Sequence, residues 1–413
     1  MSSDSRKLPG VLLLLLSALG ILYPALLVGW ILVWLIRSVD LSVFPAEHSG
    51  VVSLASLALL IALLNIPTLL LCMRHLANRQ TAKPQPDHRR TASYLLIAWL
   101  IVILAGALAN QQENARGLLI PLSLPAVFLP IYWLTENARR GLPRLSALRE
   151  WGTLTIGLTA APFVILTLEI ILLGLAALAV LLALGFNPAL REHLASLPHA
   201  LVNMQNGMQS RENVLFALSR EPLIGMVIFL VIGVAAPLVE ELLKPLAVWL
   251  LVRRPLKPFE GYTLGLISGG AFALMESASL VSQFALSSWL SAVALRSVTS
   301  VLHIGLSGWV GFGIARAWQH KHFSPALLSL LGATALHGIW NSMALLSGLS
   351  ASSLQSAPEG LQAGLSIVLP VALMVAVLVA VIAINIHING SLRRQFGQGA
   401  ADRSTDSEQP SGM

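Results

Sequence analysis

The sequence predicts an all-α fold, a polytopic helical membrane protein with about ten transmembrane helices. Of its 413 residues, 56% are hydrophobic and only 11% are charged, whereas about 25% of the residues of a soluble protein are charged. The apolar residues form long runs, unlike the short alternating segments of an outer-membrane β-barrel. The single cysteine, Cys72, excludes an intramolecular disulfide and a cysteine-based zinc cluster.

Ten apolar runs are candidates for membrane spans. They lie at 11–36, 51–73, 94–110, 118–134, 152–186, 223–252, 262–286, 289–318, 324–347 and 364–389. A helical span needs about 20 residues. The longest runs must therefore tilt, kink or protrude from the bilayer.

The positions of lysine and arginine predict the orientation. With the N-terminus in the cytoplasm, 19 of the 26 basic residues fall in cytoplasmic segments and 5 fall on the opposite side. Cytoplasmic loops are enriched in these residues. We therefore predict a multi-pass protein of the cytoplasmic membrane with both termini in the cytoplasm, and no nucleic-acid partner.

We divide the chain into five segments. They are an N-terminal transmembrane scaffold of about four spans (1–151), a long fifth span with an extracytoplasmic segment (152–222), a four-helix core (223–347), the last span (348–396) and a tail (397–413). The extracytoplasmic segment is mildly amphipathic, and both interfacial helices and a plain loop stay open. The tail is rich in Gly, Ser, Gln and Asp, a composition that favours disorder.

Ionisable side chains concentrate near the centres of four successive spans in the core. An ionisable side chain at mid-bilayer costs several kcal/mol, so one shared polar cavity explains this distribution more simply than independent placement. These polar residues are Glu240, Glu241 and Lys244 on the sixth span, Glu276 on the seventh, Arg296 and His303 on the eighth, and His337 and Asn341 on the ninth.

Helical spacing and two prolines set the surroundings of the glutamate pair. Lys244 follows Glu240 by four residues and Glu241 by three, so its ammonium can reach either carboxylate. Pro237 and Pro245 bracket the pair, and each removes a backbone donor. The freed carbonyls need new partners inside the protein.

Small residues permit close helix approach on the seventh and eighth spans, namely Gly269, Gly270, Gly305, Gly308 and Gly311.

This set of residues fits hydrolysis. A desolvated glutamate can act as general base on a water, with histidine and asparagine donors stabilising an oxyanion. Alternatively, two histidines and a glutamate could hold a metal ion that activates the water.

Other protease classes fit less well. All five aspartates lie outside the spans and no H-E-x-x-H occurs, which removes an aspartyl pair and the common helical zinc motif. The run Gly305-Leu306-Ser307-Gly308 matches the G-x-S-G of rhomboid serine proteases, but that chemistry leaves the three buried glutamates unexplained.

Four motifs occur in order on the core spans. They are E-E-x-x-K at 240–244, G-x-F-x-x-x-E at 270–276 with Phe272, Arg296 followed by His303, and H-x-x-W-N at 337–341. This ordered set resembles the PrsW family of membrane proteases, which is similar to the type II CAAX prenyl-endopeptidase superfamily. The resemblance covers about 223–347, and Ser277 departs from it because the family usually has Asn there.

The resemblance implies an intramembrane endopeptidase that cleaves a membrane-associated protein, such as an anti-sigma factor, within the lipid bilayer. PrsW members are described as metalloproteases, which implies a zinc ion, whereas the CAAX relatives suggest a glutamate-activated water without metal. The implied catalytic residues are Glu240, Glu241, Glu276, His303, His337 and Asn341, with Lys244, Phe272 and Arg296 in support and His303, His337 and Glu276 as metal ligands.

These residues have different expected roles. Glu240 or Glu241 is the expected general base, Glu276 an orienting carboxylate or ligand, and Asn341 an oxyanion donor. The alternative is a transporter or scaffold, because buried Glu, His and Arg also form proton relays. The sequence leaves the substrate, the metal and the oligomeric state open.

Overall fold

The computed structural model describes residues 3–38, 49–77, 89–188, 222–251, 256–281, 288–354 and 361–406. All regular structure in these ranges is helical, which confirms the predicted fold class. Most of the predicted extracytoplasmic segment and the last residues of the tail lie outside the described residues.

Thirteen α-helices, one 3₁₀ helix and one π-helical turn make up the described chain. The α-helices are α1 (Ser3–Ser38), α2 (Ser49–Leu76), α3 (Arg89–Gln111), α4 (Leu119–Ala138), α5 (Ala147–Leu158), α6 (Ala160–Phe186), α7 (Pro222–Leu230), α8 (Ala236–Leu243), α9 (Leu246–Trp249), α10 (Pro258–Val281), α11 (Trp289–His320), α12 (Ser324–Leu354) and α13 (Leu361–Asp406). The 3₁₀ helix Glu113–Leu118 precedes α4, and the π-helical turn Val231–Ala235 joins α7 to α8.

Eight segments of the described chain are long and apolar enough to cross a membrane, so the protein is a multi-pass membrane protein. They are Pro9–Arg37, Gly50–Leu76, Ser93–Gln111, Glu113–Ala138, Ala147–Phe186, Pro222–Leu243, Trp289–His320 and Val368–Gln395. The predicted seventh and ninth spans correspond to α10 and α12, which fall outside this set. Protein buries α10 on every side over residues 261–274, so α10 need not match the polarity of lipid. The count of ten spans and the cytoplasmic termini stay predictions.

Two helix ends differ from the predicted boundaries. The sixth span ends at Leu243 rather than near residue 252, because Pro245 cannot continue the helix. At the C-terminus, α13 runs to Asp406, into the segment predicted as a disordered tail. That segment contains no proline before Pro410, so no residue in it blocks a helix as far as residue 406.

Contacts divide the chain into two compact units. The first unit comprises Met1–Phe163, Lys244–Ser329 and Val381–Met413, and the second comprises Val164–Leu243 and Leu330–Ala380. The predicted division into scaffold and core stays a prediction.

In the first unit, a glycine ladder brings α10 against α11. Gly261, Gly265 and Gly269 are spaced four residues apart, so they lie on one face of α10. A Cβ atom at each would overlap the main-chain oxygen of Gly311, Ser307 and His303 respectively. The ladder therefore lets the two backbones touch, as small residues do in membrane helix pairs.

An ion network in the first unit joins α4 and α5. Arg139 Nη1 lies 3.0 Å from Glu150 Oε1, and Arg139 also pairs with Glu136. Arg144 Nη2 lies 2.6 Å from Glu136 Oε2. Each buried charge in this network has an opposite partner, as burial requires.

The glycine ladder gives a test of the fold. Gly265→Ala should lower the unfolding free energy by about 1–3 kcal/mol, because a rigid backbone atom occupies the space that the methyl group needs. Thermal unfolding of the purified protein in detergent measures this change.

The matched control is Gly29→Ala in α1, where an added Cβ meets nothing within 4 Å. This variant should unfold at the wild-type temperature or slightly above it, because alanine favours helix over glycine. Equal stability of the two variants would contradict the close packing of α10 and α11.

Candidate active site

The π-helical turn before Glu240 leaves one carbonyl without a helical donor. The Ala236 N–H donates to Val231 O, which is the i→i−5 pattern of a π-helix. The next donor in this pattern would be residue 237, bonding to Ile232 O, but Pro237 has no N–H. A partner for Ile232 O must therefore come from outside the helix.

In the second unit, α12 supplies this partner. Asn341 Nδ2 donates to Ile232 O at 3.3 Å, which confirms the prediction that proline-freed carbonyls find new donors. One turn earlier on α12, Gly338 packs on the main-chain oxygen of Gly233, which a Cβ atom would overlap. The 337–341 motif thus docks α12 onto the π-helical turn.

This docking places His337 between two carboxylates. His337 Nδ1 lies 2.9 Å from Glu241 Oε1, and His337 Nε2 lies 3.9 Å from Glu240 Oε2. An ionised carboxylate only accepts hydrogen bonds, so Nδ1 carries the proton and donates to Glu241. In the neutral ring, Nε2 then has the lone pair, on the side of Glu240.

In the first unit, Lys244, His303, Glu276 and Arg296 form a chain of polar contacts. Lys244 Nζ lies 2.8 Å from His303 Nδ1, and His303 Nε2 lies 2.7 Å from Glu276 Oε2. Arg296 Nη2 lies 2.7 Å from the same oxygen. Because an ammonium only donates, Nδ1 of His303 accepts from Lys244 and Nε2 donates to Glu276.

The side chains of Phe272 and Ser277 support this series of polar contacts. Lys244 Nζ lies 4.5 Å from the centroid of the Phe272 ring, within the range of a cation–π contact. The same ring meets His303 edge-on, with centroids 5.4 Å apart. Arg296 Nε donates to Ser277 Oγ at 3.3 Å, so a hydroxyl supports the arginine where an Asn amide is usual in the family.

The carboxylates of the two clusters differ in how completely protein encloses them. The Glu276 side chain is 33% exposed and that of Glu240 is 11% exposed, whereas Glu241 is fully buried. Lys244 and His303 are also buried. Protein therefore encloses Glu240 and Glu276 less completely than Glu241, Lys244 and His303.

The predicted site residues thus fall into two groups. Glu240, Glu241, His337 and Asn341 meet in the second unit, and Lys244, Phe272, Glu276, Arg296 and His303 meet in the first. The single shared cavity stays a prediction. Sequence reasoning missed Gly338, although its place beside His337 and the missing donor of Pro237 both point to it. It also missed Gly261 and Gly265, which the four-residue glycine spacing signals.

A family model described as PrsW family intramembrane metalloprotease matches residues 164–384, more than half of the chain. The chain belongs to the PrsW family. It is therefore an intramembrane peptidase, as the motifs predicted, and the match extends on both sides of the predicted 223–347. Comparisons with curated proteins and with solved structures give no match.

The donor set of the second unit fits the metal ion that PrsW membership implies. Glu240, Glu241 and His337 each offer a ligand atom, and these atoms lie within 4.8 Å of one another. Imidazole nitrogen and carboxylate oxygen are the donors of many catalytic zinc sites. In the first unit, Lys244 and Glu276 contact the two nitrogens of His303, whose predicted role as a metal ligand stays a prediction.

The contact between Glu276 and Arg296 predicts that their contributions to stability are coupled. Glu276→Gln and Arg296→Gln should each destabilise the protein, because each removes one charge of a close ion pair whose arginine is buried. The double variant should lose less stability than the sum of the two, by about 1–3 kcal/mol. Unfolding of the four proteins under one condition gives this coupling energy, and strict additivity would show that the pair is not coupled.

Proposed function

We propose that this PrsW-family chain is an endopeptidase of the cytoplasmic membrane that cleaves a membrane-associated protein by attack of water on a peptide carbonyl. The observation that carries the proposal is the position of His337, with one nitrogen held by Glu241 and the other on the side of Glu240. This arrangement gives the two adjacent glutamates different roles.

Glu241 is the positioning residue for His337. Its buried carboxylate accepts from Nδ1, which fixes the ring orientation and the tautomer. A carboxylate behind a histidine also raises the basicity of the other ring nitrogen. Glu241 therefore acts through His337 and need not touch the substrate.

Glu240 is the general base of the proposal. It is the carboxylate on the Nε2 side of His337, and it keeps contact with the surroundings that Glu241 lacks. A glutamate in this position can take a proton from the attacking water and return it to the leaving amine.

Zinc would be held by His337 Nε2 and by the carboxylates of Glu240 and Glu241, and Glu240 would then serve as a ligand instead of a general base. When bound, zinc supplies Lewis-acid activation of water and of the peptide carbonyl. The first-unit residues keep their predicted supporting roles in this proposal. Glu276 is an orienting carboxylate held by Arg296 and His303, and Lys244 fixes the His303 tautomer.

Asn341 has a positioning role in the proposal. The predicted role was that of an oxyanion donor, but its amide donates to Ile232 O at the π-helical turn. It thereby fixes the turn that precedes Glu240, and a loss of activity on its removal would follow from displacement of that turn.

The role split predicts unequal effects of two conservative variants. Glu240→Gln should lower cleavage by about 100-fold or more, because an amide cannot act as a base. Glu241→Gln should lower it by only about 10-fold, because the amide oxygen still accepts from Nδ1 of His337. Mass spectrometry of new N-termini in membrane proteins, from cells expressing each variant, measures cleavage.

Glu169→Gln in α6 is the matched control, a glutamate of the second unit that lies outside the predicted site. It should cleave as the wild type does. Equal losses for the 240 and 241 variants would refute the role split, and full cleavage by both would refute a glutamate-dependent peptidase.

Metal content gives a separate test that does not require a substrate. Purified wild type should hold zinc and His337→Ala should lose it, and the zinc content of His303→Ala tests the predicted ligand role of His303. Glu241→Gln should weaken zinc binding by about 10–100-fold. Elemental analysis by mass spectrometry measures the zinc, and its loss in the His303 variant alone would reverse the assignment.

A further inference from the structure

Hydrogen-bond donors line a cleft at one end of the first unit. The cleft has a volume of about 410 Å³ and lies where the start of α10, the end of α11 and the later part of α13 meet. Its lining residues are Pro258, Phe312, Arg316, Gln319, His320, Ser391 and Gln395. None of them is acidic, and five carry side-chain N–H or O–H donors.

An aromatic ring orients the guanidinium of Arg316, which lines this cleft. The Arg316 guanidinium lies over the Phe312 ring, with Cζ 5.6 Å from the centroid, and an aromatic face holds a guanidinium in this way. A planar guanidinium binds phosphate oxygens through two parallel N–H groups. Arg316 therefore presents a phosphate-binding fork at the cleft.

The residues around the cleft add no carboxylate that could pair with Arg316 in place of a phosphate. The sequence contains no Asp or Glu from 277 to 358 or from 360 to 401, which includes all of α11 and the α13 residues of the cleft. Glu260 lies in the first turn of α10, but it is bound by Arg149 and by the Lys257 N–H at 2.9 Å. The cleft is therefore positive in net charge.

The helix ends do not change this sign. The N-terminal end of α10 carries a partial positive charge and the C-terminal end of α11 a partial negative charge. Both ends lie at the cleft, so the two contributions oppose each other. The side chains of Arg316 and His320 then set the local potential.

The position favours a lipid as the source of the phosphate. The cleft lies at the ends of membrane helices, on the side that the distribution of basic residues predicts to be cytoplasmic. Anionic headgroups are concentrated at that surface, and basic pockets between membrane helices bind them. Phe312 and Pro258 supply apolar surface for the glycerol and the start of an acyl chain.

We propose that this cleft binds the phosphate group of an anionic phospholipid, with Arg316 as the principal contact. The donors of Gln319, His320, Ser391 and Gln395 surround the phosphate. A zwitterionic choline headgroup binds less well, because no carboxylate lines the cleft to pair with its ammonium. This site is separate from the glutamate and histidine clusters and does not depend on the proposed peptidase chemistry.

Native mass spectrometry of the full chain in detergent tests the proposal with short-chain phosphatidylglycerol and phosphatidylcholine as probes. The wild type should bind phosphatidylglycerol more tightly than phosphatidylcholine, and Arg316→Gln should weaken phosphatidylglycerol binding by about 10-fold or more. Lys321→Gln is the matched control. It removes a neighbouring exposed charge that does not line the cleft and should bind as the wild type does.

A second variant separates binding from folding. Gln395→Glu places a negative charge at an exposed position of the cleft and should also weaken phosphatidylglycerol binding by about 10-fold or more, with wild-type thermal unfolding. Displacement of bound phosphatidylglycerol by inorganic phosphate supports recognition of the phosphate group. Binding of inorganic phosphate by a protein that binds neither lipid would assign the site to the soluble ion and overturn the proposal. Equal lipid binding by the wild type and Arg316→Gln, or equal binding of the two lipids, would overturn the proposal.

Discussion

The missing N–H of Pro237 governs the geometry of the second-unit site. A helix in a membrane must satisfy its backbone internally, and at Ile232 the chain cannot do so. The Asn341 amide supplies the donor, and Gly338 permits the approach of α12 that brings it there. His337 precedes Gly338 on α12, so the same docking sets the histidine against Glu241. A defect in one helix thus determines where the side chains of another helix lie.

A charged neighbour sets the hydrogen-bonding role of each ring nitrogen in His303 and His337. Lys244 can only donate, and it contacts Nδ1 of His303. Glu241, as a carboxylate, can only accept, and it contacts Nδ1 of His337. The opposite nitrogen then has a defined role, as donor to Glu276 in the first unit and as lone-pair bearer near Glu240 in the second. Pairs that stabilise a buried charge therefore also set the protonation pattern that chemistry needs.

The sequence predicts the fold class and the family. The low content of charged residues indicates a protein that lies in lipid, and the four motifs in order on the core spans indicate the family. It does not predict the end of the sixth span at Leu243 or the π-helical turn at Val231–Ala235. A periodicity of 3.6 residues cannot reveal a local change to i→i−5 bonding, which depends on the partner helix. The support of Ile232 O by Asn341 follows only when α12 is in place, whereas the spacing of Gly261, Gly265 and Gly269 could have been read directly.

The residues before 164 lie outside the family match, yet they are built into the surroundings of Glu276. Arg149 on α5 pairs with Glu260 on α10, and the Trp289 indole at the start of α11 donates to Ser123 on α4 at 2.9 Å. Gly270 brings α10 against Thr135 of α4. These contacts pack α4 and α5 against the helices that carry Glu276, Arg296 and His303. The early helices can therefore affect the site by moving α10 and α11, without contributing a side chain to it.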